Sequence, residues 1–148
     1  MTKAYKLSIV YYLIFSILLL LSAYMLFEYK IGFGYENIID YYLGNEERFI
    51  PAKSAAGILK LILPHTFVFG LFIMVLLHFL VFTEHRYKKR TLTLIYASFF
   101  IAFLEMLTPF AIISGFGFFA YIKLFSFFAL LSSILYISWL LFCSIAFD

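Results

Sequence analysis

The stretch LILPHTFVFGLFIMVLLHFLVF, residues 61–82, decides the fold. Its 22 residues contain two histidines, His65 and His78, and no other ionisable side chain. Coiled at 1.5 Å per residue it reaches about 33 Å, the thickness of a bilayer's hydrocarbon layer. Only a helix can make such a segment at home in lipid, because it satisfies every backbone N–H and C=O within the segment. Three further stretches have the same character, giving spans at about 7–27, 58–83, 92–113 and 119–147. The expected architecture is an all-α integral membrane protein. It is a single domain over 1–148, a four-transmembrane-helix up-and-down bundle.

Composition supports this. Of the residues, 66% are hydrophobic, 23% aromatic and 13% charged, against about 25% charged in soluble domains. A chain so poor in charge cannot cover a water-exposed globule. A net charge of +3 is too small to point to nucleic acid. The first span follows Lys3 and Lys6 as a signal peptide would, but Leu7 to Phe27 is longer than an ordinary h-region and lacks a small-x-small cleavage pattern near Ala23. It is expected to be retained. Cys143, the single cysteine, reads as a small buried hydrophobe.

Orientation follows from the placement of Lys and Arg. Residues 84–90 hold four of them (Arg86, Lys88, Lys89, Arg90), and Lys3 and Lys6 fall on the same side of a four-span chain. The loop from Glu28 to Ala56 sets Lys30, Arg48 and Lys53 against Glu28, Glu36, Asp40, Glu46 and Glu47. The expectation is that both termini are cytoplasmic, in a bacterial inner membrane, with this loop outside. Within it, Tyr35 to Leu43 puts Ile38, Ile39, Tyr42 and Leu43 on one stripe, the pattern of a short amphipathic helix. That helix either lies on the membrane surface or is tucked over the bundle as a connector. Glu46, Glu47 and Arg48 are the candidate docking residues for a periplasmic partner.

Charge-bearing groups inside a bilayer are costly and mark sites. His65 and His78 are expected about 10 Å and 9 Å from the middle of their span, on opposite sides. Glu105 falls in the next span at a depth within about one turn of His65, so a His65–Glu105 bond and a contact with Thr108 are the expected polar network. The plan of four helices with in-membrane histidines is similar to that of small b-type cytochrome subunits, a likeness confined to the plan and to these two histidines. It implies His65 and His78 as ligands of haem b. Their 13-residue spacing departs from that pattern, since it turns the helix by about 220° and aims the two side chains at different faces. His85, within the basic loop, reads as solvated.

No HExxH, P-loop, G-x-S-x-G or zinc-spaced Cys/His cluster occurs, so a self-contained enzyme is not expected. Three functions stay open. The first is a small subunit of a respiratory or redox membrane complex, or a homodimer, with His65, His78 and Glu105 at a helix interface touching haem or quinone. The second is a proton or cation channel subunit using Glu105 and His65. The third is a structural anchor docking a periplasmic partner.

Overall fold

The computed structural model describes residues 2–83 and 89–146. The tip of the basic loop, 84–88 with His85, and the expected end of the fourth span at Phe147 lie outside the described residues. Five helices follow one another: α1 (Lys3–Lys30), α2 (Tyr35–Leu43), α3 (Ala55–Val81), α4 (Lys89–Ile113) and α5 (Phe119–Ala146). Four of them, α1, α3, α4 and α5, are long and apolar enough to cross a membrane. No strand forms among the described residues beyond an isolated bridge between Asn45 and Ile50.

Local sequence sets the helix ends. The Ser54 hydroxyl accepts the Gly57 N–H at 3.1 Å and caps α3. At the far end of α4, Gly115 takes φ +94°. The Phe116 N–H then reaches the Ala111 carbonyl at 3.1 Å and the Gly115 N–H reaches Ile112 at 3.0 Å. This double closure is the Schellman stop. It reverses the chain within five residues, so α4 and α5 pack as an antiparallel pair. A hydroxyl contact of 2.6 Å between Ser98 and Ser133 joins them further along. α3 lies against both, and α1 lies against α5.

Each long helix is apolar on every side, so sequence periodicity does not separate its core face from its lipid face. Packing does. In α1 the buried positions Ile9, Leu13, Ser16, Leu20 and Phe27 form one stripe, while Tyr11, Phe15 and Leu18 are exposed. Two apolar cores result. The larger, around Ile73, Leu76, Leu80, Ile134, Ile137 and Leu141, fills the half of the bundle that holds the chain termini. The smaller, Ile38, Tyr42, Ile58, Ile112 and Ala120, closes the opposite half.

α2 supplies two members of that smaller core. Ile38 and Tyr42 are 0% and 1% exposed, so the apolar face of α2 is spent on capping the bundle and only Leu43 of the expected stripe is left exposed. After α2 the chain is held by side chains. Asn45 Nδ2 donates to Asp40 at 2.9 Å, and Arg48 pairs with the other Asp40 oxygen at 2.9 Å. Arg48 is thus engaged within the loop, while Glu46 and Glu47 are exposed.

Gly44 ends α2 at φ +82°, where a Cβ would fall 2.6 Å from the Ala52 nitrogen and 2.8 Å from the Ile50 carbonyl. Gly44→Ala therefore adds a steric clash to a left-handed residue and is expected to cost about 2 kcal/mol. Thermal unfolding in mild detergent measures this; an unchanged midpoint would mean that the 44–52 loop does not close on α2 in this way.

Candidate functional site

Between the two apolar cores lies a polar cluster built by α4 and α5. Pro109 has no N–H, so the carbonyl four residues earlier, that of Glu105, loses its helical donor. Two side chains replace it: Lys123 Nζ donates to this carbonyl at 3.0 Å and the Thr108 hydroxyl donates at 3.1 Å. Hydroxyls re-satisfy proline-freed carbonyls in membrane helices in this way. Lys123 also donates to Glu105 Oε1 as an ion pair, with the two side chains only 9% and 11% exposed. The Ser126 hydroxyl donates to the second carboxylate oxygen. The Glu105 carboxylate is thereby held from both oxygens, and Lys123 keeps one of its three N–H donors.

The expected polar network is corrected here. Glu105 is bound by Lys123 and Ser126 rather than by His65, and Thr108 serves the Glu105 backbone rather than its carboxylate. Lys123 is the member of the cluster that sequence reasoning passed over, because it falls five residues past a turn and reads as the edge of a span. A signal was present. Counting back from the turn, Glu105 lies about 12 Å into α4 and Lys123 about 6 Å into α5. A lysine side chain spans that difference.

The cluster forms one wall of a cavity of about 170 Å³, partly open and lined mostly by apolar side chains. Leu26 and Phe27 of α1, Tyr42 of α2, and His65 and Phe69 of α3 face it together with Glu105 and Lys123. His65 Nδ1 lies 2.6 Å from the Leu61 carbonyl. A carbonyl only accepts, so Nδ1 carries the proton, and in the Nδ1–H tautomer Nε2 is an acceptor. Tyr42 is buried beside Glu105; burial first, then the negative charge of Glu105 and the neighbouring Tyr41 phenol, push its hydroxyl upward from the ordinary tyrosine value, so the phenol stays a donor. Its hydroxyl has no hydrogen-bond partner among the described residues. The cavity thus presents a cationic donor, a phenolic donor and an imidazole acceptor within apolar walls, the composition of a small-molecule site.

His78 takes no part. It sits 13 residues along α3 towards the terminal end, exposed and edge-on to Phe82 with ring centroids 5.0 Å apart. His65 is also exposed, at the cavity rim. The structure does not bring the two imidazoles together, and they are the only histidines among the described residues. No three His, Cys, Asp or Glu side chains gather as a metal-ligand set among those residues either.

A family model for a transmembrane helical domain matches residues 32–148, which include α2 to α5 and every charged group of the cluster. The chain belongs to this family, Aq_1264_TM. No curated protein and no solved structure matches it. The family description agrees with α3, α4 and α5, the long apolar helices inside the matched residues, and α1 adds a fourth, so the protein is an integral membrane protein in contact with lipid.

The pair can be tested by removing its members. Taking one charge away leaves the other buried and unpaired, so Glu105→Met and Lys123→Met are each expected to cost about 3 kcal/mol, whereas the double substitution loses far less than the sum. Unfolding free energies of the four proteins in detergent measure this, and strictly additive losses would rule out the coupling.

Proposed function

We propose that the protein is a small membrane subunit of a redox complex and holds a quinone-type ligand in the cavity beside Glu105 and Lys123. The observation that carries this reading is an apolar cavity among the spanning helices with a buried ion pair in its wall. A cavity of about 150 Å³ accommodates a benzene ring, and 170 Å³ suits one substituted six-membered ring. A quinone needs hydrogen bonds to two oxygens and a flat apolar slot for the ring. The free donor of Lys123 and the phenol of Tyr42 suit an oxygen of the oxidised form. The His65 Nε2 lone pair suits the hydroxyl of the reduced form, and Phe69 and Phe127 supply the flat walls.

A haem b between His65 and His78 draws less support from this geometry. The two rings are about 20 Å apart along α3, and the cavity at His65 has the volume of one small ring. Haem held by His65 or His78 would need its second ligand from another subunit or a second copy of this chain. A proton or cation path from Glu105 also draws less support, since the terminal half of the bundle is filled by Ile73, Leu76, Leu80, Ile134 and Ile137.

The same reading places the protein in an inner membrane with both termini in the cytoplasm. Lys3, Lys6, Lys89 and Arg90 gather at the terminal end and the acidic loop at the other, the distribution that positive-inside insertion produces. Glu46 and Glu47, exposed beside α2, are then available on the outer side to a periplasmic partner.

A short-chain benzoquinone should raise the thermal midpoint of the purified protein, as any ligand of the native state does. His65→Ala lies at an exposed position and should fold normally, yet lose about five-fold in affinity for the reduced form, the value of one hydrogen bond of about 1 kcal/mol. Absence of any shift with saturating benzoquinone would overturn the reading.

A further inference from the structure

The cavity has walls on several sides. Its deep side is Glu105, Lys123, Phe127 and Leu130, the last two 8% and 3% exposed. The end towards α2 is lined by Lys30, Ile31, Tyr41 and Tyr42, with Tyr42 and Ile38 buried against the ends of α4 and α5. The remaining side is the seam between α1 and α3. These two helices meet near the terminal end: the Tyr12 hydroxyl donates to the Phe72 carbonyl at 2.8 Å, its ring stacks on Phe72 with centroids 5.4 Å apart, and Tyr5 contacts Phe79 at 5.7 Å. Towards α2, α1 turns instead to α5, with Phe27 stacked on Phe127 at 4.0 Å. The seam opens there as a wedge, and its lips are Ala23 and Leu26 of α1 and His65 of α3. Leu26 and His65 are exposed, and all three positions lie within spanning helices, so this exposure is to lipid.

We propose that the wedge between α1 and α3 is a lateral portal, through which the cavity takes its ligand from the bilayer rather than from water. The ligand class is then a lipid: a polar ring or head group against Lys123 and Glu105, carrying an apolar chain that leaves between Ala23 and His65 into the hydrocarbon. The chain's exit past Leu26 and Phe69 needs no polar partner. A water-soluble ligand would instead enter at the α2 end, past Lys30 and Tyr41, and would not need the seam. The ring identity rests on the quinone reading above; the portal does not.

The test uses the full-length protein in lipid nanodiscs. A fatty acid bearing a photoreactive diazirine near its carboxyl end is activated in the membrane, and labelled residues are read by mass spectrometry. The portal predicts labelling of the buried residues Phe127 and Leu130 as well as of lipid-facing residues such as Phe100. It also predicts loss of the Phe127 and Leu130 labels, but not of the Phe100 label, in Ala23→Phe, which narrows the lips. Labelling confined to lipid-facing residues would overturn the portal, and so would floor labelling unaffected by Ala23→Phe in a variant that folds normally. In parallel, benzoquinones with and without a short isoprenoid chain are compared for binding. The chain should raise affinity at least ten-fold in the native protein and add nothing in Ala23→Phe. Equal affinities in the native protein would overturn the portal while leaving the quinone reading intact. If neither quinone binds but the floor is labelled, the quinone reading fails and the portal stands.

Discussion

The contact on which the rest of the structure depends is made by Lys123 on two oxygens of a single residue, the carboxylate and the backbone carbonyl of Glu105. An isolated charge deep in a membrane costs several kcal/mol, so neither Lys123 nor Glu105 is tolerable alone at this depth. Pairing removes most of that cost and fixes geometry at the same time, because the Lys123 ammonium must reach the carboxylate and the backbone carbonyl of the same residue. The depth and rotation of α5 against α4 are therefore set within narrow limits. Apolar contacts between two greasy helices in lipid cannot do this, since lipid tails compete with them on nearly equal terms.

Pro109 is part of the same device. By withholding an N–H it frees the carbonyl that Lys123 and Thr108 occupy, so a residue that weakens α4 as an isolated helix strengthens its joint with α5. The strain of the missing bond is absorbed where a polar partner is already present. Placing a polar layer between two apolar cores also explains the cavity. Around a bound ion pair the side chains cannot close as tightly as Ile73, Leu76 and Ile134 do further along, and α1, drawn to α5 through Phe27 and Phe127, leaves α3 on that side.

α2 links the membrane part to the loop. Its buried residues, Ile38 and Tyr42, are the plug of the smaller core, and its polar edge carries Asp40, which anchors Asn45 and Arg48. Lys53 lies over the Tyr41 ring at 4.1 Å, a cation–π contact that fastens the return of the chain towards α3. A change in the loop is thus felt at Tyr42, and through Tyr42 at the cavity wall beside Glu105.

Much of this was legible in the sequence. Four unbroken apolar runs demand four helices because lipid offers no other partner for the backbone, and the short turn around Gly115 makes neighbours of the last two. The spacing of Ile38 and Tyr42 gave α2 an apolar face, and the burial cost of a lone carboxylate singled out Glu105. What the sequence by itself did not determine was the partner. His65 and Thr108 share a depth with Glu105, but depth is one coordinate, and rotation about each helix axis is another. In helices that are apolar all round, no periodic pattern encodes that rotation; it emerges only when all four helices pack together. Tertiary structure alone therefore decided that Lys123 meets Glu105, that His65 stands across a cavity from the pair, and that His78 faces lipid.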